Sequence, residues 1–352
     1  MVAPSYPTEV PVPSLHEIAS QLVAPGTGIL AADESEGTIA KRFAVIGLPV
    51  TLETRRDYRE MLFRSHEAMS KHISGVILTE ETLKQDAADG TPFIALLADA
   101  NAIPGIKVDR GAFEMPGTKG EKITEGLDGL RQRLAHYAEI GAKFAKWRGV
   151  IAVSSYAPSR NGIRANAHVL ARYAALCQEA GIVPVVEPEV LADGEPGDHG
   201  IERCAEVTAE TLATVFEELR LANVDLSGML LKPNMVTPGV RSAERPTAEV
   251  IARRTLDVLK AHVPATVPGI AFLSGGQSDA AATANLSAMN RIGGNPWALT
   301  FSYGRALQNA ALLAWGGDAR NIGQAQAAFA HRVKMNALAA SGEWTPDVDK
   351  AA

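Results

Sequence analysis

The stretch that decides the fold runs from residue 143 to residue 187. It opens with KFAKWR (143–148), passes through a helical stretch over 166–180, and closes with IVPVVE (182–187). Two short apolar runs, too far apart for a hairpin, are joined by an amphipathic segment long enough to cross over a sheet. That is the pattern of a parallel β-α-β unit. Working outward, the same alternation recurs in both directions. GILAAD (28–33), SGVILT (74–79) and IPGIKV (103–108) precede it, and GMLLK (228–232), GIAFLS (269–274) and WALTFSY (297–303) follow. Amphipathic stretches at 55–70, 127–141, 207–222 and 247–261 lie between them. Eight such units predict an α/β fold, a single (β/α)8 TIM barrel with extra N-terminal and C-terminal helical segments, the last over 322–340. The runner-up is a doubly wound open sheet. It would want a GxGxxG phosphate loop after the first strand, and ADESEG (32–37) does not supply one. The expected boundaries are a proline-rich arm at 1–14, a catalytic barrel at 15–345 and a short tail at 346–352.

Bulk properties narrow the partners. The chain has 352 residues and a formal net charge of −6, which gives no reason to expect nucleic acid or an anionic membrane. Any bound polyanion must therefore meet a local cluster of positive charge. No apolar run approaches the roughly 20 residues of a membrane span. The start, MVAPSYPTEVPVPS, lacks the basic and apolar regions of a secretory signal, so a cytoplasmic protein is expected. Cys177 and Cys204 are expected as reduced, half-buried thiols. The eight histidines show no ligand spacing, and neither a metal nor an organic cofactor is expected.

In a TIM barrel the chemistry sits at the C-terminal ends of the strands. Those ends read Asp33, Glu81, Lys107, Lys146 with Arg148, Glu187 with Glu189, Lys232, Ser274 and Arg305. Any one of them reads as a solvated loop charge. The whole set does not, because inward charges are costly unless paired and used.

Lys232 closes an apolar strand and precedes Pro233. Partial desolvation and a cationic neighbour such as Lys146 would lower its amine pKa, and Schiff-base chemistry needs the neutral amine. Two readings stay open: a nucleophile, or a structural lysine paired with Glu187. Asp33 and Glu187 are the candidate acid/base partners, while Glu189 could hold Lys146 or Arg148. For phosphate, Ser274 and Gly275 follow the seventh strand in a glycine-rich loop that opens a helix. Gly304 and Arg305 follow the eighth. A second phosphate could meet Lys107, Ser35 and Thr38, although Ser35 or Thr38 could also cap the helix that follows.

ILAADES, FAKWR, VEPE, LLKPNMVTPG, FLSGGQS and ALTFSYGRALQ, in this order, resemble the signature stretches of class I fructose-bisphosphate aldolases. The resemblance runs from about residue 15 to residue 346. It implies a barrel that reversibly cleaves fructose 1,6-bisphosphate to dihydroxyacetone phosphate and glyceraldehyde 3-phosphate, without a cofactor, as a homotetramer. By that resemblance Lys232 is the Schiff-base lysine, Glu187 the main acid/base, Asp33 the residue orienting the C4 hydroxyl and Lys146 the neighbouring cation. Ser274, Gly275, Gly304 and Arg305 cradle the C1 phosphate. Ser35, Thr38 and Lys107 hold the other, with threonine where the family has serine, and Arg148 joins the binding residues.

Two rivals remain on the sequence: a Schiff-base aldolase for another sugar phosphate, and an idle scaffold on the same barrel. The chain also departs from the family's tailed members. It ends DVDKAA with no terminal tyrosine to protonate the enamine, and LTEETL replaces a more aromatic strand-two end. The proton is then expected from Glu187 through water, from substrate phosphate, or from Tyr303, which reads equally as a core residue. The tail at 346–352 is expected to be inert, with Asp347 and Asp349 ionising ordinarily.

Overall fold

The eight apolar runs close into one parallel barrel. The computed structural model describes residues 13–351, so positions 1–12 of the proline-rich arm lie outside the described residues. Ser14, the last residue assigned to the arm, caps the first helix. Its hydroxyl accepts from the Glu17 amide at 3.2 Å, while its own amide donates to the Glu17 carboxylate at 2.7 Å.

In order the elements are α1 (Leu15–Leu22), β1 (Gly28–Ala31), α2 (Glu36–Val45), α3 (Leu52–Phe63), α4 (His66–His72) and β2 (Ile73–Leu78). Then come α5 (Glu80–Leu83), α6 (Phe93–Asp99), β3 (Ile103–Lys107), β4 (Ala112–Glu114), β5 (Lys122–Thr124) and α7 (Leu130–Glu139). The central unit is β6 (Phe144–Ile151), α8 (Arg160–Glu179) and β7 (Val183–Val190), followed by α9 (Ile201–Leu221), β8 (Leu230–Leu231) and α10 (Ala248–His262). The chain finishes with β9 (Gly269–Phe272), α11 (Asp279–Ile292), β10 (Ala298–Tyr303), α12 (Arg305–Trp315), α13 (Ile322–Ala340) and α14 (Pro346–Ala351). The barrel order is β1-β10-β9-β8-β7-β6-β3-β2, each strand beside its neighbour in sequence; β4 and β5 form a separate antiparallel pair.

One end of the barrel is plugged and the other left open. Leu22 and Val23, from the end of α1, reach the strand beginnings and join Ile29, Ile77, Phe144, Val183 and Leu230 in one buried cluster. Glycines at the strand starts make the room. A Cβ on Gly75 would sit 2.6 Å from Leu22, one on Gly269 2.6 Å from Val23, and one on Gly105 2.3 Å from the Phe144 ring. The polar side chains are left to the opposite, C-terminal mouth.

The long stretch at 55–70 divides into α3 and α4 at Arg64–Ser65. The Ser65 hydroxyl donates to the Met61 carbonyl four residues back, at 3.3 Å, and Ser65 leaves helical geometry with ψ 60°. β8 is only two residues long, because Pro233 has no amide to continue the ladder. The β4–β5 hairpin was not foreseen. Both thiols are free and fully buried rather than half-buried. The tail also differs from its expected character. Asp349 on α14 accepts from His331 Nε2 at 2.8 Å and Trp344 Nε1 at 3.2 Å, and pairs with Arg332 at 3.3 Å. Burial pushes its carboxyl up, but these partners outweigh burial and hold it below the ordinary value.

Candidate active site

All thirteen site residues singled out from the sequence line one cavity of about 700 Å3 at the C-terminal mouth. Strand geometry brings them there. Lys146 and Arg148 are two apart on β6, as are Glu187 and Glu189 on β7, so each pair shares a face. The register sets Lys107 beside Lys146 and Arg148 beside Glu187. Lys232 follows β8, its amide donating to the Val186 carbonyl at 2.8 Å and continuing the ladder by one residue.

At the centre lies a chain of alternating charges. Lys146 Nζ is 2.9 Å from Asp33 Oδ2 and 3.1 Å from Glu187 Oε2; Lys232 Nζ is 3.0 Å from Glu187 Oε1. All four side chains are buried. Burial favours the neutral form of Asp33, Glu187 and Lys146, yet their mutual fields win. Asp33 is pushed up by burial but pulled down to about 2 by Lys146, Lys232 and Lys107. Glu187 likewise ends below its ordinary value, against burial, under Lys146, Lys232 and Arg148. Lys146 is raised well above the usual lysine range by Asp33, Glu187 and Asp109, against the opposing effect of burial, and is a fixed cation. The like-charged neighbour expected beside Lys232 is therefore present, with Glu187 between the two. Glu187 Oε2 makes no aligned hydrogen bond despite the nearby ammonium.

Around this centre the cavity wall is cationic, with basic side chains outnumbering acidic ones although the whole chain is acidic. Arg148 Nε donates to Glu189 Oε2. Gly275 leaves room for that pair, since a Cβ there would lie 2.6 Å from Glu189 Oε1 and make the carboxylate shift. Ser274 and Gly275 begin the loop that ends at Ser278, whose hydroxyl caps α11. Arg305 opens α12 and reaches Asp193 at 3.6 Å, both half exposed. Lys107 is held by Asp109 at 2.6 Å. The Ser35 hydroxyl meets that of Thr38 at 3.0 Å and makes no capping hydrogen bond, so the capping role offered for it falls.

Other expectations are corrected. Glu81 lies outside the mouth on α5, in a pair with Arg55 at 2.6 Å. Tyr303 is fully buried; its hydroxyl donates to the Ala282 carbonyl at 3.1 Å, and burial pushes its pKa far up, so it is a core residue. Lining residues that were missed include Glu34, Arg42, Asp109 and Asp193. None ends a strand. Arg42 sits on α2, gripped by Glu34 and Gln308, and approaches Gly304 so closely that a Cβ there would be 3.2 Å from its Nη2. Its spacing of four from Thr38 was the available signal.

A closed parallel barrel with a buried lysine–carboxylate centre inside a cationic mouth defines the class: a barrel enzyme acting on an anionic substrate. Comparison with known proteins makes this specific. The family described as glycolytic fructose-bisphosphate aldolase class-I matches residues 14–352. A probable fructose-bisphosphate aldolase class 1 of Xanthomonas campestris is 52% identical over 95% of this chain and 99% of its own length. Aldolase C of Homo sapiens is 51% identical over 94% of this chain and 90% of its own. A solved structure of fructose-bisphosphate aldolase from Plasmodium falciparum, in complex with TRAP and an inhibitor, superposes with a TM-score of 0.91. It is 47% identical, covering 94% of this chain and 95% of that one. The chain belongs to the class I fructose-bisphosphate aldolase family.

Proposed function

We propose that Lys232 is the Schiff-base nucleophile with which this aldolase reversibly cleaves fructose 1,6-bisphosphate to dihydroxyacetone phosphate and glyceraldehyde 3-phosphate. The observation that carries the assignment is the 3.0 Å contact between the Lys232 amine and Glu187, both buried at the bottom of the mouth. The ammonium can pass a proton to the carboxylate across that contact. The product is a neutral amine beside a carboxylic acid, the pair that imine formation needs.

The amine adds to the C2 carbonyl of the open-chain ketose. Glu187 returns its proton to the departing hydroxyl, water leaves and an iminium forms on Lys232. Asp33, ionised and held by Lys146, takes the proton of the C4 hydroxyl. The C3–C4 pair then moves into the iminium, releasing glyceraldehyde 3-phosphate and leaving an enamine. The proton that Asp33 took up passes through water to Glu187 or to substrate phosphate, C3 takes it from there, and hydrolysis releases dihydroxyacetone phosphate. In the resting site Lys146 favours the ionised form of both carboxylates, and Glu189 orients Arg148.

Ser274, Gly275, Gly304 and Arg305 would hold the C1 phosphate, and Arg42 joins them through its approach to Gly304. Lys107, with Ser35 and Thr38, would hold the other. β9 and β3 are four places apart in the eight-stranded ring, so their ends face each other across the mouth, as a bisphosphate requires. A monophosphate enzyme would not need both. The family resemblance further implies a cytoplasmic homotetramer, which sedimentation of the purified enzyme would test.

The assignment is tested by borohydride reduction with dihydroxyacetone phosphate and peptide mapping. The adduct is expected on Lys232; an adduct on Lys146 or Lys107 overturns it.

A further inference from the structure

The phosphate loops sit on two different helices, and one buried guanidinium ties those helices together. Arg332, from α13, is only 7% exposed. Its Nη2 donates to the Asp279 carbonyl at 3.1 Å and to the Thr283 hydroxyl at 2.6 Å, both in the first turns of α11. Its Nε donates to the Ala306 carbonyl at 3.4 Å, in the first turn of α12. The fourth partner is Asp349 on α14, 3.3 Å from Nη1. Asp279 follows directly on the loop 274–278, and Ala306 follows directly on Arg305. Arg332 therefore grips both helices near the phosphate loops, one residue from Arg305 on α12 and four from Gly275 on α11.

Burying a cation costs free energy that a pair recovers only with good geometry and further hydrogen bonds, and an apolar side chain would pack this junction more cheaply. What the apolar side chain could not do is fix the spacing of two backbone carbonyls on separate helices. We propose that Arg332 is a positioning residue for the substrate phosphate, setting the distance between the 274–278 loop and Arg305, and that α14 clamps it through Asp349. Arg332 lines no part of the cavity and touches no substrate. Asp349 would hold the guanidinium in register, so the last turn of the chain acts on the mouth without entering it.

The inference rests on the phosphate assignment proposed above, and the test separates the two. Arg332→Gln, Arg332→Lys, Asp349→Asn and Arg305→Ala are compared with the parent enzyme. Inhibition by inorganic phosphate against fructose bisphosphate is measured, along with borohydride trapping by dihydroxyacetone phosphate and by dihydroxyacetone, which has no phosphate. Arg332→Gln should raise the phosphate inhibition constant and the dihydroxyacetone phosphate half-saturation by about tenfold, the scale of one weakened charged contact. Trapping by dihydroxyacetone should stay unchanged, because the amine and its carboxylates are untouched. Arg332→Lys should recover part of the loss, and Asp349→Asn should show a smaller loss of the same kind. Equal loss with both ketones would make Arg332 a general stability residue and overturn the proposal, as would no loss with either. If Arg332→Gln does not fold, Asp349→Asn decides, and an unchanged phosphate constant there overturns it. If Arg305→Ala leaves phosphate binding intact, the cradle assignment falls and this proposal with it. If Arg305→Ala weakens binding while Arg332→Gln does not, only this proposal falls.

Discussion

Asp33, Lys146 and Glu187 set one another's charges. Asp33 shows this in a form that pH can read. Its native value of about 2 lies below the ordinary 3.8, because the nearby lysines outweigh the opposing effect of burial. A depressed carboxylate adds stability that is complete above the unfolded value. That stability falls as acid protonates the unfolded chain first, and is gone below the native value. The window is therefore about pH 4 down to about pH 2, and the effect is on the order of 2 kcal/mol. Denaturant midpoints of the parent should fall across that window more steeply than those of Asp33→Asn; parallel curves would refute the coupling. Arg305 allows a second prediction. Its contact with Asp193 is long and half exposed, and such pairs contribute little, so phosphate displaces Asp193 easily. Arg305→Ala should weaken dihydroxyacetone phosphate binding by about 1.5–3 kcal/mol, the loss of a charge-assisted contact. Calorimetric titration measures it, and unchanged affinity rules the role out. Most of these residues were legible because each ends a strand, where a charge is either solvated or used. Arg42, Asp109 and Asp193 were not, because helix and loop positions carry no such constraint and only their folded neighbours show them at the mouth.

Strands and helices were legible where the chain is buried on both sides. β6 and β7 are buried along nearly their whole length, so they read as continuous apolar runs. Legibility failed where local hydrogen bonding overrides periodicity. Ser65 cuts one amphipathic stretch in two, Pro233 halts β8, and the three-residue strands of the β4–β5 hairpin are too short and exposed to leave a pattern. The strand-start glycines were also passed over, since their role depends on what crosses the barrel floor. Gly105 gives the clearest test. A methyl group there would overlap the Phe144 ring at 2.3 Å, with no flexible side-chain end to yield. Gly105→Ala should lower stability by about 1–3 kcal/mol or more, the range for overpacking a filled core. Urea unfolding reads the change. A midpoint within error of the parent would show that the ring can move aside and that the floor is loosely packed.

At the scale of the molecule, the proposed mechanism has the barrel's own groups do what a bound metal would otherwise supply. A metal in aldol cleavage has two tasks: to draw electrons from the carbonyl as the C3–C4 bond breaks, and to offset the charge of the bound phosphates. The first would fall to the iminium on Lys232, a full positive charge covalently attached to the reacting carbon. The second would fall to the cations of the mouth, which lie in a locally basic cavity of an otherwise acidic protein and would concentrate a bisphosphate substrate there. Both substitutes are covalently part of the chain, so neither is lost on dialysis. Turnover of fructose bisphosphate after exhaustive treatment with EDTA should therefore stay within about twofold of the untreated enzyme, since no Lewis-acid step is left to remove. The control is the same enzyme reduced with borohydride in the presence of dihydroxyacetone phosphate, which should be inactive whether or not metal is present. Activity abolished by EDTA and restored by zinc would mean that the electron sink is a metal ion, and would overturn the mechanism built on Lys232.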